Sequence, residues 1–157
     1  MEGRQTNLRN DYRDERGKWV GVFHEIGHRV DRLAGRLSEN MEFENTIKDE
    51  FESIVSSYQK EYNLTKKVAY KEIGKAIEAP EFHSVSDLFG GMSQNQCVGG
   101  YSHEQPGYWE KTGRLGNEAF AHFFEATCRR DRVTISILRQ TFPKSYKMFE
   151  DMMEALE

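Results

Sequence analysis

The sequence predicts one mainly α-helical domain, formally α+β with a small β-hairpin or sheet set into it. Two observations carry that expectation. Apolar residues recur at three- and four-residue steps through most of the chain, the period of helices that bury one face. A single long break, residues 80–116, is instead dense in Gly, Ser, Asn and aromatics. At 157 residues, with no internal repeat and no linker, the chain fits a single domain over 1–157.

The elements follow in order. The first 16 or so residues are polar and read as a loose lead-in. From about Gly17, Val20, Phe23, Gly27, Val30 and Leu33 mark a first helix, closed by Gly35 and the "SEN" after it. A second helix spans about Phe43 to Tyr62, with Ile47, Phe51, Ile54, Val55 and Tyr58 as its apolar stripe. Thr65 suits the N-cap of a third, which stops before Pro80. That helix is lysine-rich and weakly amphipathic, the pattern of a surface element. Within 80–116, Ser86 suits the cap of one short helical turn, and "QCVGGYS" a strand or hairpin arm around Gly99–Gly100, placing the small sheet between residues 94 and 104. Long irregular stretches inside compact domains are commonly functional, and Leu88, Phe89, Val98, Tyr101, Tyr108 and Trp109 argue for order here. "NEAFAHFFEATCRR" returns to helix with Asn117 as N-cap. "RVTISILRQTF" and "PKSYKMFEDMMEALE" add two more, with Pro143 in the first turn of the last.

Composition narrows the function classes. Apolar residues make up 37%, charged residues 31% and aromatics 12%, enough for one modest core. The net charge is -4 and the pI about 5.8, with no dominant basic patch, so neither nucleic acid nor an acidic membrane is an expected partner. No apolar run is long enough to cross a bilayer. "MEGRQTNLRNDYRDERGK" lacks the apolar centre of a signal peptide, so the expected location is cytoplasmic or virion-associated. Cys97 and Cys128 stand too far apart for a zinc ribbon or a disulfide framework and read as reduced thiols.

The chemistry sits in "VFHEIGHRVDRLAG", residues 22–35. His24 and His28 are four apart, on one helical face, and can present both imidazoles to one ion. Neutral imidazole is a preferred zinc ligand at about 2.0–2.1 Å. Glu25 is rotated by about 100° from His24, which suits it to a water on the ion as general base rather than to ligation. H-E-x-x-H is a metallopeptidase signature. The histidines are flanked by Val22, Phe23 and Ile26, where a metal would compensate polar groups drawn away from water. A catalytic zinc usually takes three protein ligands. His83, His103 and His122 remain, but Glu118 is the strongest candidate, at the start of a helix that also carries His122 and Glu125 at i+4 and i+7. His122 could orient a ligand imidazole or Glu118; Glu125 is either an orienting acid or a surface one. Asp31, three after His28, is either a carboxylate accepting its imidazole N–H or an exposed acid near Arg32.

With these residues in view, the chain resembles a known family. "HEIGHRVDRLAG" followed by "NEAFAHFFEA" is similar to the zincin catalytic domain of anthrax lethal factor. The likeness is greatest to the zincin-like domain of phage minor head (head morphogenesis) proteins. Gly27, Asp31 and the "EAFA" at 118–121 carry it, with "SDLFGGMSQNQCVGGYSHEQPGYW" similar to the phage group's loop and "FPKSYKMFEDM" to its last helix. The likeness covers roughly residues 18 to 153. It implies a zincin-like metallopeptidase fold, zinc held by His24, His28 and Glu118, and Glu25 as base. In lethal factor a tyrosine shortly before the ligand glutamate helps stabilise the oxyanion. The corresponding residue 111 is Lys here, which leaves Tyr108, Tyr101 or His103 for that role. Zincins lay substrate along a sheet edge ahead of the helix. This chain has only a polar segment there, implying a reduced edge strand or a domain of a longer protein. The expected activity is hydrolysis of a peptide or protein substrate, with phage head proteins as possible partners. The alternatives are a non-turnover assembly domain of a phage head and a lethal-factor-like effector domain.

Overall fold

The computed structural model describes residues 19–156; the polar lead-in lies outside them. The described residues form seven helices: α1 (Val20–Leu33), α2 (Met41–Tyr62), α3 (Lys66–Ala76), α4 (His83–Ser93), α5 (Arg114–Cys128), α6 (Arg132–Thr141) and α7 (Pro143–Glu154). Short 3-10 turns at Leu37–Glu39 and Pro80–Phe82 join α1 to α2 and α3 to α4. Among the described residues there is no strand.

Helix α5 is the axis of the fold. Apart from half-buried Asn117, every residue from Leu115 to Ala126 is buried. One face packs on α1; others meet α2, α4, α6 and α7. The core is aromatic: Phe123 meets Phe43, Tyr146 and Phe149, and Phe120 meets Phe149, with ring centroids 5.0–6.2 Å apart. Helix α2 contributes Phe43, Ile47, Phe51 and Val55, four residues apart and so in one buried row. Its entry is fixed by Asn40, whose side chain accepts from the Glu42 N–H. Midway along α2, Glu50 supplies the cap that α7 lacks locally: its carboxylate accepts from the Lys144 and Ser145 amides (2.7 and 3.2 Å) and from the Ser145 hydroxyl (2.5 Å).

Gly27 sets the crossing of α1 over α5. A Cβ built there would lie 2.9 Å from the Ala121 Cα and 3.2 Å from the Phe124 Cβ. Only hydrogen at position 27, facing the small Ala121, lets the two backbones come this close. Asp31, one turn later, is neither exposed nor bound to an imidazole. It is buried and accepts from the Ser38 amide (2.8 Å), the Ser38 hydroxyl (2.6 Å) and the Asn117 amide group (3.1 Å). It thereby ties the end of α1, the first 3-10 turn and α5 together.

Five expectations need correction. The small hairpin between residues 94 and 104 is absent, because this segment pairs with its neighbours rather than with itself. The Ser86 hydroxyl donates to the Tyr101 carbonyl (2.5 Å) and accepts from the Gly99 amide (2.8 Å), while Gly99 and Gly100 press on the backbone of Ile77 and Glu78. Ser86 is accordingly no cap: it lies inside α4, an 11-residue helix where one short turn was expected. Helix α5 begins at Arg114, not at Asn117, whose side chain reaches Asp31. Leu33, assigned to the buried stripe of α1, is 78% exposed, and α3 is not a bare surface element, since it buries Ala69, Tyr70, Ile73 and Gly74.

Candidate metal centre

The α1–α5 crossing brings three of the expected residues to one point. His24 Nε2 lies 3.1 Å and His28 Nε2 3.4 Å from the same oxygen, Oε2 of Glu118. For ligands at about 2.0–2.1 Å, the edge of a tetrahedron around zinc is about 3.3 Å, so the two spacings fit one shared ion. Both histidine side chains are mostly buried, and Glu118 is almost wholly so.

His24 also shows a device common at zinc sites, a carboxylate behind the ligating imidazole. Its Nδ1 lies 3.5 Å from Glu125 Oε2, so a proton on Nδ1 leaves the Nε2 lone pair for a metal. Glu125, left open as an orienting or a surface acid, is thus buried behind His24, with its other oxygen 3.3 Å from Arg129. Without metal, burial works against a charged His24, but Glu118 and Glu125 outweigh it and raise its pKa from 6.5 to about 9. Burial likewise opposes the Glu118 charge, yet His24 and His28 hold its carboxyl far below the usual range. His28 has no such partner: its Nδ1 is buried without a hydrogen bond, because Asp31 is committed elsewhere.

Tyr108 joins the site from the segment between α4 and α5. Its hydroxyl donates to Glu118 Oε1 (2.5 Å), and burial together with Glu118 pushes its pKa far up, so it stays a donor. The Arg114 guanidinium lies over the Tyr108 ring at 4.6 Å and 3.6 Å from Glu118 Oε1. His103 stacks flat on the Tyr108 ring, with centroids 4.2 Å apart. Both its ring nitrogens are engaged: Nδ1 lies 2.9 Å from Asp87, and Nε2 lies 3.4 Å from the Tyr101 hydroxyl. Tyr108 therefore touches the candidate ligand set, while His103 and Tyr101 stand behind it. Glu25 lies on the exposed side of α1 and makes no hydrogen bond or ion pair among the described residues.

The residue that sequence reading missed is Asp87. It is fully buried in α4 and accepts from the His103 backbone amide (2.8 Å), while its Oδ2 lies 2.9 Å from His122 Nε2. Burial would raise its pKa, but the two imidazoles outweigh that and hold it well below the carboxylate range. His122, whose charge burial disfavours, packs its ring 4.5 Å from that of His24. The result is a closed ring of contacts: His24, Glu118, Tyr108, His103, Asp87, His122 and back to His24. His122 thus touches the His24 ring and is itself held by Asp87. No spacing signal marks Asp87; only a helix assignment for 83–93 would have placed it and the buried Ser86 on α4.

Cys97 is buried and free, its thiol pushed up to about 12 by burial, and Cys128 is also free. No helix among the described residues is long and apolar enough to cross a membrane. Comparison with protein-family models, curated proteins and solved structures finds no match.

Proposed function

We propose that this chain is a zinc-dependent peptidase with a zincin-like site, of the kind carried by phage minor head proteins. One observation carries the reading: two imidazole nitrogens from one helix turn towards a single buried carboxylate oxygen on another, at the spacing of tetrahedral zinc ligands. His24, His28 and Glu118 would hold the ion. When bound there, zinc supplies a Lewis acid that polarises a carbonyl and makes a water acidic.

The chain's own residues do the rest. Glu25, exposed and next to a ligand histidine, takes a proton from the attacking water and passes it to the leaving amine. The water oxygen bonds to the carbonyl carbon, the C–N bond breaks, and acid and amine products separate. The Tyr108 hydroxyl, held protonated, turns from Glu118 Oε1 to donate to the carbonyl oxygen as negative charge builds there. Glu125 fixes the His24 tautomer, and His103, backed by Asp87, holds the Tyr108 ring in place. Metal analysis of purified protein, paired with a Glu25→Gln variant, tests the proposal. One zinc per chain in both proteins, with peptide hydrolysis in the parent alone, is the expected result. Equal hydrolysis by the variant removes Glu25 from the mechanism, and a chain that takes up no zinc removes the peptidase reading.

A further inference from the structure

A cavity opens beside His28. It measures about 220 Å³ and is lined by His28, Arg32, Arg36, Lys111, Arg114 and the α1–α5 tie Asp31 and Asn117, among others. Its charges are lopsided. Arg36 is neutralised by Glu39 at 2.8 Å, and Asp31 is sealed by Ser38 and Asn117. Arg114 sits over Tyr108, 3.6 Å from Glu118. Arg32 and Lys111 are exposed and have no carboxylate within 4.0 Å among the described residues. A cationic pocket is a local exception on a chain of net charge -4. The larger groove on the other side of the 104–111 segment shares Lys111 and carries Glu104 and Glu110, with Glu44 and Glu52 there paired to Lys48 and Lys66 at 2.6 and 2.9 Å.

Resting on the peptidase reading above, we infer that this pocket is a substrate subsite for a carboxylate held next to the bond being cut. Arg32 and Lys111 are its recognition cations, and Arg114 closes its inner end. A carboxylate there is attracted by positive charge that no carboxylate among the described residues neutralises, and it lies beside His28. Two parts of a peptide carry that group: an Asp or Glu side chain, and the C-terminus. Exposed ion pairs are each worth up to a few-fold in affinity, so the two cations together should give up to about tenfold.

Binding of peptide hydroxamates to the zinc-loaded chain tests this without turnover. The probes are dipeptides whose hydroxamate anchors on zinc. One set varies an Asp against an Asn side chain with the end amidated; the other varies a free against an amidated C-terminus. Titration calorimetry is run on the parent and on an Arg32→Ala/Lys111→Ala double variant, whose two substitutions lie on the surface. In the parent, the carboxylate member of one set should bind up to about tenfold tighter than its amide. The preferred set tells whether the group is a side chain or a chain end. The double variant should bring the pair to within about twofold while leaving the amides unchanged, and salt should weaken the preference. Equal binding of carboxylate and amide in the parent, or a preference that survives in the double variant, overturns the subsite while the metal reading stands. Failure of every hydroxamate, amides included, strikes the metal site itself and takes the subsite with it.

Discussion

Replacing Gly27 by Ala sets two physical effects against each other. Helix propensity alone favours Ala by about 1 kcal/mol, since glycine loses more backbone freedom on folding. The crossing with α5 opposes it. The new methyl would sit 2.9 Å from the Ala121 Cα, 3.3 Å from the Ala121 carbonyl oxygen and 3.2 Å from the Phe124 Cβ. Carbon atoms prefer about 3.5–4.0 Å, so α1 and α5 must part by several tenths of an ångström. Two of the three obstacles are backbone atoms that no rotamer change can move. Overpacking of this sort typically costs about 1–3 kcal/mol, which leaves Gly27→Ala net destabilised by up to about 2 kcal/mol. In a domain of this size that corresponds to a fall in Tm of up to about 8 °C. The second consequence is local. The same displacement carries His24 and His28 away from Glu118, so zinc affinity should fall at least tenfold even at temperatures where the variant is folded. Differential scanning calorimetry on the metal-free protein and competition with a zinc chelator measure the two separately. A variant that melts higher and binds zinc as before would refute the close-crossing argument, leaving helix propensity in charge.

Other outcomes follow from the site. Glu118→Gln removes the anionic ligand and should abolish stoichiometric zinc while the helical circular dichroism persists, as metal analysis after dialysis will show. His24 binds a proton up to about pH 9 in the metal-free chain, so zinc must displace it; at pH 7 this weakens binding by about 100-fold relative to pH above 9. Titration calorimetry in buffers of different ionisation enthalpy should register close to one proton released at pH 7, and none would refute the assignment. The same raised pKa stabilises the metal-free fold fully below pH 6.5 and is lost as pH rises through about 9, so chemical denaturation should find the metal-free protein less stable at pH 10 than at pH 6. Asp87 has the opposite sign: its depressed pKa adds stability above the usual carboxylate range that disappears on acidification, and Asp87→Asn should flatten that acid limb. Phe123→Ala, in the middle of the aromatic core, should cost about 3–5 kcal/mol by denaturant titration.

Much of this arrangement is legible in the chain because its signals are local. The i,i+4 histidines, the four-residue row of α2, the Thr65 cap and Pro143 at the start of α7 each state their own helix. Glu118 is readable because it lies on a helix whose apolar residues demand burial. Helix α4 is illegible for the opposite reason. It is buried all round, from Ser84 to Gly90, so it has no polar face to give it a period, and its serines and Gly90–Gly91 lower its propensity. Those residues answer to tertiary neighbours: Trp109 lies over Gly91, and the Ser86 hydroxyl holds the backbone at Gly99 and Tyr101. The hairpin expectation failed at the same place, since a Gly-Gly pair that reads as a turn serves here for close approach to Ile77 and Glu78. Asp87 inherits the invisibility of its helix. Asp31 was illegible in another way, because the Ser38 that claims it follows a turn whose geometry no spacing rule supplies.

Residues 98–113 contain not one buried side chain, yet they carry Tyr108 onto the carboxylate that would ligate zinc. They are pinned chiefly by the Ser86 hydroxyl, the Asp87 carboxylate and a ring stacked on a ring. A segment held this way, with Trp109 over Gly91 as its apolar anchor, should open at lower cost than the helices beneath it. It would admit a long polymer chain sideways, without threading and without disturbing the α1–α5 cradle, and its amides should exchange with deuterium well before those of α5.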